Sequence, residues 1–303
     1  MRAWLTLDVG GTEIKAALLS EDYRPLGNSR KYPSRSRESR QIFLEHLAAI
    51  LEDGARQAVQ GGYTLAGAGL AFPGPFDYAS GVSRMQGIGK YDCLYGFPLG
   101  DYLRGLSFLQ GLPLCFANDA DLYALGEYWL GGGKDYSRAL FACMGTGLGS
   151  GFVEKGRLVK SGPRVPQDGW LFREPFQGGT LDGWISAAGL RRLMEEAGGF
   201  SPDTDGKELA AAAAEGNRPA LEIWAAFGQQ LAEALPPYAR RFDAEAVFLG
   251  GQIAKSAHLF IGPLKKELAK TGIRLRISED SALRAMQALP LLLEKRIPDP
   301  YAI

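Results

Sequence analysis

The pattern that most constrains this chain occurs twice. A mostly apolar, β-prone run, Ala3 to Val9, meets Gly10-Gly11 and gives way to a second such run, Ile14 to Leu19. Later, Arg138 to Met144 meets Gly145-Thr146-Gly147-Leu148-Gly149-Ser150-Gly151, and Phe152-Val153 opens another apolar run. Neither glycine turn leads into a helical pattern, so each reads as a hairpin. A dinucleotide fold needs a helix directly after its glycines, which leaves the nicotinamide reading weak. No GxxxxGK[ST] phosphate loop occurs either. The repeat implies two equivalent α/β halves facing each other across a cleft.

The remaining segments fit that scheme. Arg40 to Gln60 carries Ile42, Phe43, Leu47, Ile50 and Leu51 at helical spacing. Further helices are predicted at Asp119 to Tyr128, Leu181 to Ala197, Arg218 to Phe242 with a break at Pro236-Pro237, around Leu264 to Ala269, and from about Ser281. Strands are predicted at Gly67 to Phe72, Leu112 to Ala117, Arg157 to Lys160, Ala246 to Leu249 and Ile273 to Ile277. Lys plus Arg and Asp plus Glu both number 34, so there is no basic footprint for nucleic acid or anionic lipid. Cys93, Cys115 and Cys143 lie too far apart for a disulfide framework or a zinc knuckle. The opening MRAWLTLDVGG breaks at Asp8, and no apolar stretch reaches the ~20 residues of a membrane span. A cytoplasmic protein without nucleic-acid or membrane partners is expected.

Three short segments carry chemistry. Glycines at a turn let backbone N–H groups approach a phosphate closely. At Asp8-Val-Gly10-Gly11-Thr12-Glu-Ile-Lys15 the hydroxyl of Thr12 and the charge of Lys15 would assist, and Asp8 could hold Mg²⁺ or its waters. The same glycine pair is equally the tip of an ordinary hairpin. In the second run, alternating glycines and hydroxyls make a concave row of donors. Asn118-Asp119 follows an apolar strand and opens a helix. Asp119 is there either a helix cap or a carboxylate base for a hydroxyl.

Taken in order, DVGGTEIKAALL, GAGLAFPGPFD, LPLCFANDADLYALGE, MGTGLGSGFVEKGRL and AVFLGGQI resemble the ROK family of sugar kinases and regulators, over residues 5 to about 255. The resemblance implies an α/β, two-domain, actin-like ATPase (ribonuclease H-like) fold, with ATP and sugar meeting in the interdomain cleft. By that likeness Asp8, Gly10, Gly11, Thr12 and Lys15 form the first phosphate motif. Gly145, Thr146, Gly147 and Gly149 form the second, and Gly250-Gly251 the adenosine motif. Asn118 and Gly74 would hold the sugar and Asp119 would be the catalytic base. The expected domains are 1–117 and 118–289, with a tail at 290–303 packing back on the first. ATP, Mg²⁺ through Asp8, and a homodimer are implied with them.

Two departures alter the expectation. The Glu-x-Gly-His signature common in the family is here Gln167-Asp-Gly169-Trp170, and no cysteine follows in EPFQGGTLDGWIS. His46 and His258 sit in or near helices as surface or packing residues, so no zinc site is expected. Gln167 retains hydrogen-bonding capacity, and Trp170 either stacks on a sugar face or belongs to the core. With the first strand starting at residue 3, a preceding helix-turn-helix is not expected. The readings that follow are an ATP-dependent kinase acting on a hexose, amino sugar or β-glucoside, a catalytically silent sugar-binding or regulatory protein, and an ATPase acting on a carboxylate or a protein.

Overall fold

The first glycine turn is a hairpin tip. In the computed structural model, which describes residues 1–301, β1 (Arg2–Val9) and β2 (Glu13–Ser20) pair antiparallel with Asp8 opposite Lys15. A short β3 (Arg30–Pro33), too polar to be predicted, adds to β2. Helix α1 (Arg40–Gln60), capped by Ser39, returns the chain to β4 (Thr64–Ala71), parallel to β1, and β5 (Leu114–Ala117) lies parallel to β4. The sheet order is β3-β2-β1-β4-β5. Phe43, Leu47, Ile50 and Leu51 of α1 pack in one core with Leu5, Leu7 and Leu70. β1 and β4 are buried over most of their length, because the opposite face is covered as well.

The second turn starts the same design again. β6 (Arg138–Met144), β7 (Leu148–Glu154), β8 (Arg157–Leu158), β9 (Ala246–Gly250) and β10 (Arg274–Ile277) form a sheet of order β8-β7-β6-β9-β10. The first three strands pair antiparallel and the last two parallel, as in the first sheet. The duplication read from the glycine turns is therefore a duplication of sheet topology. Helices α2 (Asp119–Leu130), α3 (Ala187–Ala197), α4 (Arg218–Ala234), α5 (Ala257–Ala269) and α6 (Ser281–Leu293) complete the main elements. Trp224 and Phe227 of α4 meet Phe260 of α5 in the centre of the second core.

Three predicted elements come out differently. The run Leu181 to Ala197 breaks into Leu181–Trp184 and α3, which Ser186 caps by accepting from the N–H of Ala188. Gly189 lies against the Trp184 carbonyl, where a Cβ would stand 2.0 Å from the oxygen, so the close approach at this break requires glycine. In GTGLGSG only Gly145–Gly147 turn, and β7 already starts at Leu148. Helix α5 starts at Ala257, ahead of the expected Leu264, and carries Pro263 within it.

The chain forms two compact units, one of Met1–Leu122 with the residues from Ala282 onward, the other Tyr123–Ser281. The divisions thus fall within α2 and at the start of α6, not after residues 117 and 289. Helix α6 covers the second face of the first sheet. Met286 packs with Trp4, Ala17 and Leu19, and Gln287 donates to the Tyr23 carbonyl at 2.9 Å.

Candidate active site

Sheet register brings the motifs of each unit to one edge. In the first unit Asp8 neighbours Ala71 and Ala71 neighbours Ala117, so β1, β4 and β5 end in a row. Gly10-Gly11, Pro73–Pro75 and Asn118-Asp119 all leave from that edge, the carboxyl end of the parallel strands where α/β sheets bind ligands. In the second unit Cys143 neighbours Gly250, which sets Gly145–Gly147 beside Gly250-Gly251.

The first tip is held from behind through its carbonyls. Gly10 O accepts from the Tyr91 hydroxyl at 2.6 Å, and Gly11 O accepts from Ser34 and Ser36, both at 2.6 Å. Gly10 N donates to Glu13 O at 3.0 Å and closes the turn. Among the described residues none accepts from the N–H of Gly11 or Thr12, and both residues are exposed. Burial pushes the Tyr91 phenol above its ordinary range, so it remains a donor. Lys15 Nζ lies 3.9 Å from Asp8 Oδ2, and Lys90 crosses the tip with its Cδ 3.3 Å from where a Gly11 Cβ would be. No ion pair holds Lys90 among the described residues. A rigid tip with outward N–H groups and two cations suits an anion.

The second tip is built alike. Gly145 N donates to Gly147 O at 3.0 Å, and Gly145 O accepts from Ala187 N at 3.0 Å. Asp182 Oδ1 accepts from Leu148 N at 2.7 Å. The N–H groups of Thr146 and Gly147 have no acceptor among the described residues. Gly149 lies inside β7, opposite Cys143, not in the turn. Gly251 has φ +90° and a Cβ there would stand 2.1 Å from Met144 O, so glycine is required by the fold itself.

At the third motif the structure separates cap from candidate base. Asn118 Oδ1 accepts from Ala120 N at 3.0 Å and Asp121 N at 3.2 Å, which makes Asn118 the cap of α2. Asp119 is the first helical residue and is exposed, and its Oδ1 also accepts from Ala120 N, at 2.9 Å. Tyr78 donates to Phe72 O at 3.1 Å and receives Asn118 Nδ2 at 3.2 Å. Gly74 abuts the same phenol, 3.1 Å from its virtual Cβ.

The Gln167–Gly169 turn is tied to β7 through Ser150, which donates to Gly169 O at 2.7 Å and accepts from Leu171 N at 2.9 Å. Gln167 is exposed. Trp170 is half-buried with Arg173 over its ring at 4.6 Å, so it is not a core residue and one face is taken. His46 hydrogen-bonds Pro33 O at 2.7 Å and His258 is exposed. Among the described residues no three His, Cys, Asp or Glu side chains form a metal-binding group, and no helix is long and apolar enough to cross a membrane. A surface groove of about 670 Å³ lined by Glu233, Arg240, Lys266 and Glu267 contains none of the motifs.

Lys90, the Ser34 and Ser36 brace, and Asp182 were missed from the sequence. Only Lys90 left a signal there, standing after the glycine-rich Gly87-Ile88-Gly89.

The ROK family profile matches residues 4–281. The chain belongs to the ROK family. Among its relatives are the glucokinase of Thermotoga maritima, 27% identical over 86% of each chain, and the β-glucoside kinase of Listeria monocytogenes, 30% identical over 90% of each. A ROK glucokinase from Streptomyces griseus, solved with glucose and AMPPNP, superposes with a TM-score of 0.76 at 19% identity, over 95% of this chain and 98% of that one. The ROK fold, an actin-like ATPase fold with two five-stranded sheets, accounts for the matching topologies above.

Proposed function

We propose that this ROK protein is an ATP-dependent sugar kinase in which Asp119 is the general base. The observation that carries the reading is the exposed Asp119 carboxylate at the start of α2, where Asn118 Oδ1 spans the Ala120 and Asp121 N–H groups and Asp119 engages Ala120 N through Oδ1 alone. A sugar hydroxyl attacks phosphorus well only as a carboxylate takes its proton. Alignment and charge neutralisation supply the rest. The N–H groups of Gly11 and Thr12, with Lys15 and Lys90, would bind phosphate oxygens in one unit. Those of Thr146 and Gly147 would do so in the other, with Gly250-Gly251 toward the adenosine. Asn118, Gly74, Gln167 and the open face of Trp170 would contact the sugar.

Asp8 suits a magnesium site. It is a partly buried carboxylate beside the tip, 22% exposed, and Mg²⁺ retains most of its waters and uses one or two carboxylates. When bound, the ion shields phosphate charge from the incoming hydroxyl. The same reading makes the enzyme a cytoplasmic homodimer. Its relatives named glucokinase, β-glucoside kinase and N-acetyl-D-glucosamine kinase delimit the acceptors to try first.

A silent sugar-binding protein is the second reading, favoured by Gln167 and Trp170 in place of the family's Glu and His. ADP release with Mg²⁺ across hexoses, amino sugars and β-glucosides separates the two. Sugar-dependent ADP release that Asp119→Asn abolishes supports the kinase. Calorimetric sugar binding without ADP release from the wild type would overturn it.

A further inference from the structure

Tyr301 reaches the Asn118-Asp119 turn. Tyr301 stacks on Tyr78 with ring centroids 4.6 Å apart and planes at 22°. Its hydroxyl oxygen accepts the Asn118 N–H at 2.6 Å and donates to Asp121 Oδ2 at 3.0 Å. Asp121 is only 2% exposed and lies two residues beyond Asp119 in the first turn of α2. Tyr78, the stacking partner, takes the Asn118 side-chain amide. One phenol therefore ties the backbone of the residue before Asp119 to a buried carboxylate of the helix that Asp119 opens. The Asn118 amide has no other acceptor among the described residues.

We propose that Tyr301 is a positioning residue for the sugar-phosphorylating turn, fixing the Asn118 peptide and hence the directions of the Asn118 and Asp119 side chains. This rests on the kinase reading for its consequence in turnover, though not for its geometry. The argument is one of register. Asn118 caps α2 with its side chain while its own N–H lies outside the helix and must find an acceptor elsewhere. A water there would leave the turn free to rotate. A phenol locked by stacking on Tyr78 does not. Burial, together with the Asp121 charge, raises the Tyr301 phenol well above its ordinary range, so the proton that Asp121 receives stays in place through neutral and alkaline assays. Tyr301 touches no reacting atom in this scheme. It acts through Asn118 and Asp119.

Tyr301→Phe keeps the ring and removes the hydroxyl, and it is tested in the full-length protein. Amide hydrogen exchange of peptides spanning 116–122 is expected to quicken at least about tenfold, while peptides spanning the 8–15 hairpin exchange as in the wild type. With the sugar that the wild type phosphorylates, kcat over KM for sugar is expected to fall about 10- to 100-fold, the scale of a misplaced catalytic group, with KM for ATP unchanged. Exchange at 116–122 equal to wild type would overturn the proposal, whatever the activity. So would quickened exchange across the whole first unit, which marks a general structural loss, or undiminished sugar turnover in a variant whose local exchange has risen. The kinase reading is judged separately by Asp119→Asn. If that variant retains activity the base assignment fails, while the exchange measurement still decides the role of Tyr301.

Discussion

Alanine at Gly251 and alanine at Gly145 have opposite expected effects, and the structure supplies the magnitudes. Gly251 has φ +90°, and its added Cβ would stand 2.1 Å from Met144 O, 2.6 Å from Met144 C and 2.7 Å from Met144 N. These are backbone atoms of β6 and cannot swing aside. A left-handed non-glycine residue costs roughly 1–2 kcal/mol, and overpacking adds about 1–3 kcal/mol. Gly251→Ala should therefore lose about 2–5 kcal/mol, a fall in Tm of roughly 4–20 °C for a unit of this size. At Gly145 a Cβ meets nothing within 4 Å. Gly145→Ala should keep its Tm to within about 2 °C, since a change that meets no neighbour costs at most ~0.5 kcal/mol. Yet the open space is where the proposed phosphate approaches, so the methyl group should weaken ATP binding about 5- to 150-fold, the equivalent of an overpacking cost of ~1–3 kcal/mol. Scanning calorimetry and titration with a non-hydrolysable ATP analogue on both variants decide the matter. Wild-type affinity in folded Gly145→Ala would refute the phosphate role of the second tip. An unshifted Tm in Gly251→Ala would refute the packing argument.

Asp119→Asn should lower kcat by ~10²–10⁴ while leaving Tm unchanged, whereas Asn118→Ala should cost stability of about 1 kcal/mol because it removes the cap; kinetics and melts on both variants check the division of labour. Lys90→Met should raise KM for ATP several-fold and leave calorimetric sugar affinity alone, and an unchanged KM would show that Lys90 points away from phosphate. Tyr23 donates to Glu294 and its phenol is pushed up to about 12, by burial first and then by that bond. Its folded pKa is raised, so its stabilisation is whole below the unfolded value of ~10 and is lost as pH climbs through about 12. Urea midpoints should accordingly fall more between pH 10 and 12 for the wild type than for Tyr23→Phe, and parallel pH curves would contradict this.

What could be read from the sequence was what local pattern determines. Gly10-Gly11 between two apolar runs has few outcomes other than a hairpin, and the recurrence near Gly145 disclosed the shared sheet topology. Arg40–Gln60 kept its bounds because a long amphipathic repeat leaves little ambiguity. Leu148–Gly151 was misread since glycines inside a strand look like more turn, although β7 pairs them in register with β6. The break before α3 depends on Gly189 meeting the Trp184 carbonyl, a contact that spacing cannot show. The role of Asp119 was undecided in the sequence because neighbouring Asn and Asp can both cap. In the structure Asn118 Oδ1 accepts from both Ala120 N and Asp121 N, while Asp119 Oδ1 accepts from Ala120 N only. Tyr301 left no signal, as its partners lie some 180 residues earlier.

The dependence of the first unit on helix α6 sets synthesis and folding in opposite order. A ribosome delivers the chain from its N-terminus, so the strands of the first sheet emerge before anything else. Their second face nevertheless waits for Met286 to meet Trp4 and Leu19, and Gly69 waits for Leu289, whose Cβ lies 2.7 Å from the position a Gly69 Cβ would take. The second unit, contiguous from Tyr123 to Ser281, has everything it needs sooner. The part made first is thus the part finished last, with Trp4 and its neighbours exposed to chaperones or to other nascent chains in the interval. A chain cut short before Ala282 would accordingly expose the sheet at its beginning and spare the one nearest the cut.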